Sequence, residues 1–203
     1  MPQKPLLFAF DLEGCLVPEI WINFAKKTGI EELRLTTRDI PNYDELMQHR
    51  LKILDSKGFT VNEIQEVIHA MEPLPGALSF LNYLREKAQL IILSDTFYEF
   101  AGPLMKKLSY PTLFCHNLLI DGSGKITGYK LRIDGGKKKA VESFKLLGFY
   151  VTAVGDSYND TEMLLAADQG ILLHPPANVI ADFPQLPVYH DYENLRKRLE
   201  ELF

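Results

Sequence analysis

The chain has 203 residues, enough for one domain or for one domain carrying an insertion. Hydrophobic residues make up 46%, which supports a packed core and excludes a disordered chain, and a net charge of −5 argues against a nucleic-acid surface. The two cysteines, Cys15 and Cys115, lie far apart and outside any CxxC spacing, so neither a disulfide framework nor a zinc site is expected.

The first apolar run is residues 6–10, LLFAF, too short for the apolar region of a signal peptide. It stops at an acid, Asp11, and a second acid, Glu13, follows two residues later. No stretch approaches the ~18 apolar residues of a membrane span, and a cytoplasmic protein is expected. From Val17 to about Met71, apolar residues recur at helical spacing: Ile20 and Phe24; Leu46, Leu51 and Leu54; Ile64, Val67 and Ile68. With breaks near Gly29, Pro41 and Gly58, this predicts three or more helices and no strand. Pro73-Leu-Pro-Gly76 marks the return to the core, and Leu78, Leu81 and Leu84 predict a core helix.

Three further apolar runs, at 90–93, 151–154 and 171–173, are separated by helical pattern, which predicts a parallel sheet. Asp121-Gly-Ser-Gly124 between β-prone flanks predicts a small hairpin beside the main sheet, within 117–132. After Leu173 come four prolines, Pro175, Pro176, Pro184 and Pro187, which predict loops; a short amphipathic helix is expected over 192–202. The fold class is therefore α/β: a Rossmann-like parallel sheet core (1–16 and 73–203) with an inserted helical cap (17–72) and a small β-hairpin.

Three apolar strands end in the same kind of residue: Asp11, Ser94-Asp95 and Gly155-Asp156. Ligands of open parallel sheets sit outside the carboxyl ends of the strands, so Asp11, Glu13, Ser94 and Asp156 converge if these strands are neighbours. Carboxylates gathered in one place repel each other, and a hard divalent cation relieves this; oxygen donors of this type suit Mg²⁺ and point to phosphoryl transfer. Singly, each residue has a plainer reading. Asp11 serves equally well as a helix cap, Ser94 reads better as an N-cap, and Asp156-Ser157 is an ordinary turn. The repetition over three strands shifts the balance.

These residues also carry a resemblance. Asp11-Leu-Glu-Gly-Cys15, Leu-Ser94-Asp-Thr, Lys137 and Gly155-Asp-Ser-Tyr-Asn-Asp160 resemble, in order and spacing, the four motifs of the haloacid-dehalogenase-like phosphohydrolases across essentially the whole chain. Val17-Pro-Glu19 and Arg50-Leu-Lys-Ile-Leu54 are similar to the phosphoserine phosphatase family. The strings VPEIWINFAKKTGI, TTRDIPNYDELM and ILSDTFYEF resemble its bacterial branch that is also a phosphoserine:homoserine phosphotransferase.

The resemblance implies roles. Asp11 would be the nucleophile that forms an aspartyl phosphate, and Glu13 the general acid and then the base. The Asp11 side chain, a Glu13 group and Asp156 would hold Mg²⁺. Ser94 and the Asp95 amide would bind phosphate oxygens, Lys137 would neutralise them, and Asn159 would orient substrate or phosphate. Lys138 and Lys139 remain alternatives to Lys137, which is favoured because it follows Gly135-Gly136 at a predicted helix start. Asp160 would hold Lys137 or a backbone amide. Glu19 and Arg50 would clamp the ammonium and carboxylate of the substrate, although each also reads as a surface or helix-end charge.

Glu13 stands where the superfamily usually has Asp, and Cys15 where it has Thr; Cys15 reads as core packing. His116 and His174 read as core or loop histidines, and Trp21, Phe97, Tyr98 and Phe100 as cap–core packing. The implied activity is Mg²⁺-dependent hydrolysis of O-phospho-L-serine with transfer to homoserine. The rivals are a phosphatase of another small phosphomonoester and a non-catalytic phospho-metabolite-binding protein. Partners are then small molecules, with no nucleic acid and no membrane, and a homodimer is compatible with the chain.

Overall fold

A computed structural model describes residues 4–36, 39, 40 and 42–203. The break expected at Pro41, and Thr37 and Arg38 of the resemblance strings, lie outside the described residues. The strands are β1 (Leu6–Phe10), β2 (Gln89–Phe97), β3 (Thr112–Ile120), β4 (Ile126–Lys130), β5 (Tyr150–Gly155), β6 (Gln169–Leu173) and β7 (Val188–Tyr189). Among the described residues they form one sheet in the order β4-β3-β2-β1-β5-β6-β7, parallel except for the β3–β4 pair.

The central strand β1 is apolar throughout because both of its faces are covered. Alternation sends Phe8 and Phe10 into one core and Leu7 and Ala9 into the other. The first core is closed by α4 (Ala77–Arg85), α5 (Tyr98–Lys107) and α9 (Tyr192–Glu200), through residues such as Phe80, Leu104 and Leu195. The second is closed by α6 (Gly136–Leu146), α7 (Thr161–Ala166) and α8 (Ala177–Asp182), through Val141, Met163 and Val179.

Between β1 and α4 lie α1 (Ile20–Thr28), a 3₁₀ turn (Glu31–Arg34), α2 (Tyr43–Lys57) and α3 (Val61–Ala70), with no named strand among the described residues of this stretch. Each helix has its own start or stop. Asn42 caps α2 by accepting from the Asp44 and Glu45 N–H groups, Thr60 and Glu63 form a capping box on α3, and Gly29 and Gly58 end α1 and α2 at φ +70°. The chain leaves the core after Leu16 and returns at Leu74, whose N–H donates to the Leu16 carbonyl at 2.9 Å. The insertion is seated on the core by Trp21 against Phe100 (5.9 Å between ring centroids), by Gln65 Nε2 donating to the Glu99 carbonyl (2.8 Å), and by Tyr43 against Tyr129.

Two expectations are corrected. The hairpin is part of the main sheet, because β3 pairs with β2 through Thr112–Phe114 and His116 before it turns antiparallel to β4. The segment after Leu173 holds α8 and β7 as well as loops; β7 pairs with β6 through Leu172–Val188 and Leu173–Tyr189.

Candidate active site

Strand order decides the site. β2, β1 and β5 are adjacent, so Ser94, Asp11 and Asp156 emerge side by side at their carboxyl ends, and all three are buried. The β2–β3 register jumps between Leu93 and Phe97, so Ser94, Asp95 and Thr96 fall in an irregular stretch that releases them from the ladder. The Ser94 hydroxyl accepts from the Thr96 N–H at 3.2 Å.

Lys137, one residue into α6, is buried, and its Nζ lies 2.8 Å from Asp11 Oδ1, 2.8 Å from Asp160 Oδ1 and 3.2 Å from Asp95 Oδ2. Lys138 is half-buried, and the exposed Lys139 donates to the Asp134 carbonyl, so neither takes this place. Burial opposes the Lys137 charge, but Asp11, Asp160 and Asp95 outweigh it and hold its pKa well above the ordinary lysine value. Asp160 is fully buried; its second oxygen accepts from the Asp156 and Ser157 N–H groups at 3.0 and 3.2 Å. Gly155 makes room for it, since a Cβ there would lie 2.4 Å from Asp160 Cβ.

Asp11, Asp156 and Asp160 each bring a carboxylate oxygen within 4.8 Å of the others. Burial, and then Asp160 and Asp156, raise the Asp11 pKa well above the usual carboxylate value against the pull of Lys137. This crowding is what a hard cation relieves, and the donor set is all oxygen. Asp160 already meets Lys137 with one oxygen and two amides with the other, and this buried trio could hold a metal ion. The loop after β1 passes close to Asp156: Gly14 has φ +80°, and a Cβ there would meet Asp156 Oδ2 at 2.5 Å.

The Glu13 carboxylate turns instead to the insertion. Its Oε2 accepts from the Ile20 N–H, the first of α1, at 2.7 Å. Burial and the neighbouring Glu19 carry its pKa up to about 8. Arg50, on α2, is buried with its guanidinium 4.5 Å from the centre of the Trp21 ring. Its Nη2 donates to the Leu35 carbonyl at 2.9 Å, its Nη1 meets the Met47 sulfur at 3.7 Å, and its buried Nε has no hydrogen-bond partner among the described residues. Burial lowers its pKa to about 10. Glu19 is the N-cap residue of α1, and its side chain makes no capping bond.

A cavity of about 90 Å³ joins the two halves. From the insertion it is lined by Glu19, Trp21, Tyr43 and Arg50, and from the core by Asp11, Glu13, Ser94, Asp95, Lys137, Asp156 and Asn159. The residues singled out in the sequence are thus brought together. Asn159 is exposed, and its Nδ2 donates to Asp95 Oδ2 at 2.9 Å. Cys15 is fully buried in the first core. His174 packs on Tyr192, 5.8 Å between rings, away from this cavity.

Three contacts at the wall were not read from the sequence. The Tyr43 hydroxyl donates to the Asp95 carbonyl at 2.9 Å, Thr96 lines the cavity, and behind the wall His116 places Nε2 3.5 Å from Asp95 Oδ1. His116 is read as a core histidine in the sequence and is indeed buried, and it reaches the site only through Asp95. Trp21 packs cap on core as expected and is also the floor beneath Arg50.

An α/β sheet whose adjacent strand ends gather acids, a serine and a buried lysine under a helical insertion defines a phosphoryl-transfer architecture. The chain belongs to the haloacid dehalogenase-like hydrolase family, whose model matches residues 5–168. It is 57% identical over 187 residues to phosphoserine phosphatase ThrH of Pseudomonas aeruginosa, covering 92% of this chain and 91% of that one. It is 56% identical over 187 residues to a phosphoserine phosphatase of Pseudomonas syringae pv. tomato, covering 92% and 79%. Among solved structures, an apo phosphoserine phosphatase matches with a TM-score of 0.78 at 22% identity, over 96% of this chain and 98% of that chain. A phospho-aspartyl intermediate analogue of phosphoserine phosphatase gives 0.77 at 21%, over 96% and 99%, and these two structures speak to the fold. Among the described residues, no helix is long and apolar enough to cross a membrane.

Proposed function

We propose that this chain hydrolyses O-phospho-L-serine with Mg²⁺ through an aspartyl phosphate on Asp11, and that it passes the same phosphoryl group to homoserine. The observation that carries this reading is the shared cavity: an acid paired to a buried lysine faces an arginine whose Nε has no partner among the described residues and an acid with no capping bond. A phosphoryl group suits the first pair, and an amino acid's carboxylate and ammonium suit the second. The names of the two Pseudomonas relatives support the same substrate class.

In the first step an Asp11 oxygen attacks phosphorus, Glu13 gives its proton to the serine oxygen, and the bond from phosphorus to that oxygen breaks. In the second, Glu13, now a carboxylate, takes a proton from water or from the homoserine hydroxyl. The oxygen so activated bonds to phosphorus and frees Asp11. Lys137, Ser94 and the Asp95 amide would bind phosphoryl oxygens, and Asn159 would hold Asp95 and the phosphate edge in place. Asp11, Asp156 and a Glu13 group would hold Mg²⁺, which supplies charge neutralisation at the phosphoryl oxygens when bound. Residues 17–72 act as the cap over the core of 1–16 and 73–203, and its closure excludes water until an acceptor is in place.

Homoserine is serine lengthened by one methylene, so it can use the same Glu19 and Arg50 contacts. The test uses purified protein, Mg²⁺ and phosphoserine, with and without homoserine, following free phosphate and phosphohomoserine together. Phosphohomoserine appearing as free phosphate falls is the expected result. Free phosphate alone would remove the transfer step, and neither product would remove the substrate.

A further inference from the structure

The proposed chemistry uses the amide of Asp95 and leaves its side chain without a task, yet that side chain is the third acid on Lys137. An ammonium has three protons. Those of Lys137 face Asp11 and Asp160 at 2.8 Å each and Asp95 at 3.2 Å, so a phosphoryl oxygen can reach Nζ only if one acid gives way. Asp160 is fully buried and fixed by two amides, and Asp11 is buried at the end of the central strand. The Asp95 side chain has the longest contact and 35% exposure, against 6% and 0% for the other two.

Asp95 also has somewhere to go. Asn159 Nδ2 already donates to its Oδ2 at 2.9 Å, and His116 Nε2 stands 3.5 Å from its Oδ1. His116 is set for this, because its Nδ1 accepts the Arg132 N–H at 3.1 Å, which leaves the ring proton on Nε2, facing Asp95. The Asp95 main chain is held in turn by the Tyr43 hydroxyl on its carbonyl, so its freedom is confined to the side chain. Burial works against its charge, but Lys137, His116 and Asn159 outweigh burial and keep the carboxyl below its usual range.

We propose that the Asp95 carboxylate competes with the phosphoryl group for the Lys137 ammonium, and that His116 is the positioning residue that receives it when phosphate binds. This rests on the reading of Lys137 as the phosphate lysine. The competition weakens every phosphate ligand. An amino-acid ester makes up the difference through Glu19 and Arg50, whereas inorganic phosphate has no such handles, so Asp95 favours departure of the product.

The test is calorimetric binding of inorganic phosphate, with Mg²⁺, to the whole protein and to two variants. Asp95→Asn removes the charge at nearly constant shape and should bind phosphate about 10-fold tighter, the scale of one close like-charge contact in a partly screened site. His116→Phe keeps the packing, deletes the donor and should bind about 3-fold more weakly, the scale of one hydrogen bond. Loss of structure weakens binding, so a gain in Asp95→Asn has no merely structural explanation. Phosphate bound no tighter by Asp95→Asn than by the parent, or tighter by His116→Phe, overturns the proposal. A parent protein that binds phosphate but leaves phosphoserine intact overturns only the substrate reading, because inorganic phosphate tests the Lys137 site whatever alcohol the ester carries.

Discussion

Replacing Arg50 by alanine separates recognition of the amino acid from the chemistry at phosphorus. The guanidinium is buried over Trp21; among the described residues one nitrogen is spent on the Leu35 carbonyl, another meets a thioether, and Nε has no partner. In the proposed reading, two donors then take the substrate carboxylate in a desolvated pocket. Removing one partner of such a charge pair costs about 2–5 kcal/mol. A middle value of about 3 kcal/mol is roughly a 150-fold loss in kcat/KM for phosphoserine. The comparison substrate is phosphoethanolamine, which keeps the ammonium and the phosphate but lacks the carboxylate. Arg50→Ala should leave its kcat/KM within about threefold of the parent, because no contact specific to it is lost. Steady-state release of phosphate from both esters, by both proteins, gives the four values needed. Lost stacking on Trp21, about 0.5–2 kcal/mol, should also lower the melting temperature by a few degrees. An equal loss on both substrates would refute the clamp, since the variant would then have damaged the phosphate end or the fold.

Asp11→Asn should abolish turnover, by roughly 10⁴-fold or more, while phosphoserine binding persists, which equilibrium dialysis can check. Lys137→Met leaves Asp11, Asp95 and Asp160 facing one another without a cation; urea unfolding should show a loss of about 3–5 kcal/mol, and an unchanged midpoint would deny Lys137 its structural share. Gly155→Ala puts a Cβ 2.4 Å from that of Asp160, so the Asp160 hold on Lys137 and on the Asp156 amide must shift. Its kcat should fall far more than that of Gly148→Ala, where φ is +89° but no atom lies within 4 Å of the new Cβ and only backbone strain of about 1 kcal/mol is added.

What was legible in the sequence was whatever repeats with a short period. The run at 6–10 is the strand β1 itself, because both faces of a central parallel strand are buried and every residue must be apolar. The second strand is read in the sequence as ending at Ser94-Asp95, whereas β2 runs on to Phe97; what the apolar run marks is the break in the ladder after Leu93. The hairpin's turn was legible in Asp121, whose side chain accepts from the Ser123 N–H at 2.8 Å and the Lys125 N–H at 3.2 Å. That β3 belongs to the main sheet was not, because its pairing with β2 is a tertiary choice. Nor were Tyr43 and His116. Tyr43 reaches Asp95 across 52 positions, and a tyrosine on an amphipathic helix or a histidine in a strand carries no local mark of that contact. Short elements such as β7, two residues long, lie below the length at which periodicity says anything.

In the proposed reading, Glu13 joins the chemistry to the insertion. Its carboxylate accepts from the Ile20 N–H, and between these two residues the chain leaves the core, at the point where Leu74 donates back to Leu16. The bond therefore crosses the junction of cap and core. The methylene that distinguishes glutamate from aspartate gives it the reach to the first amide of α1, where orphan N–H groups would otherwise lack a partner. The same position sets Glu13 beside Glu19, and burial together with that neighbour raises its pKa to about 8, which favours the protonated form that the proposed general acid needs. Glu19, Tyr43 and Arg50 come from the cap side of the junction, and Asp11, Ser94 and Lys137 from the core side. A cavity assembled from both sides is complete only with the insertion seated, and the acid proposed to protonate the leaving alcohol is held by that same seating.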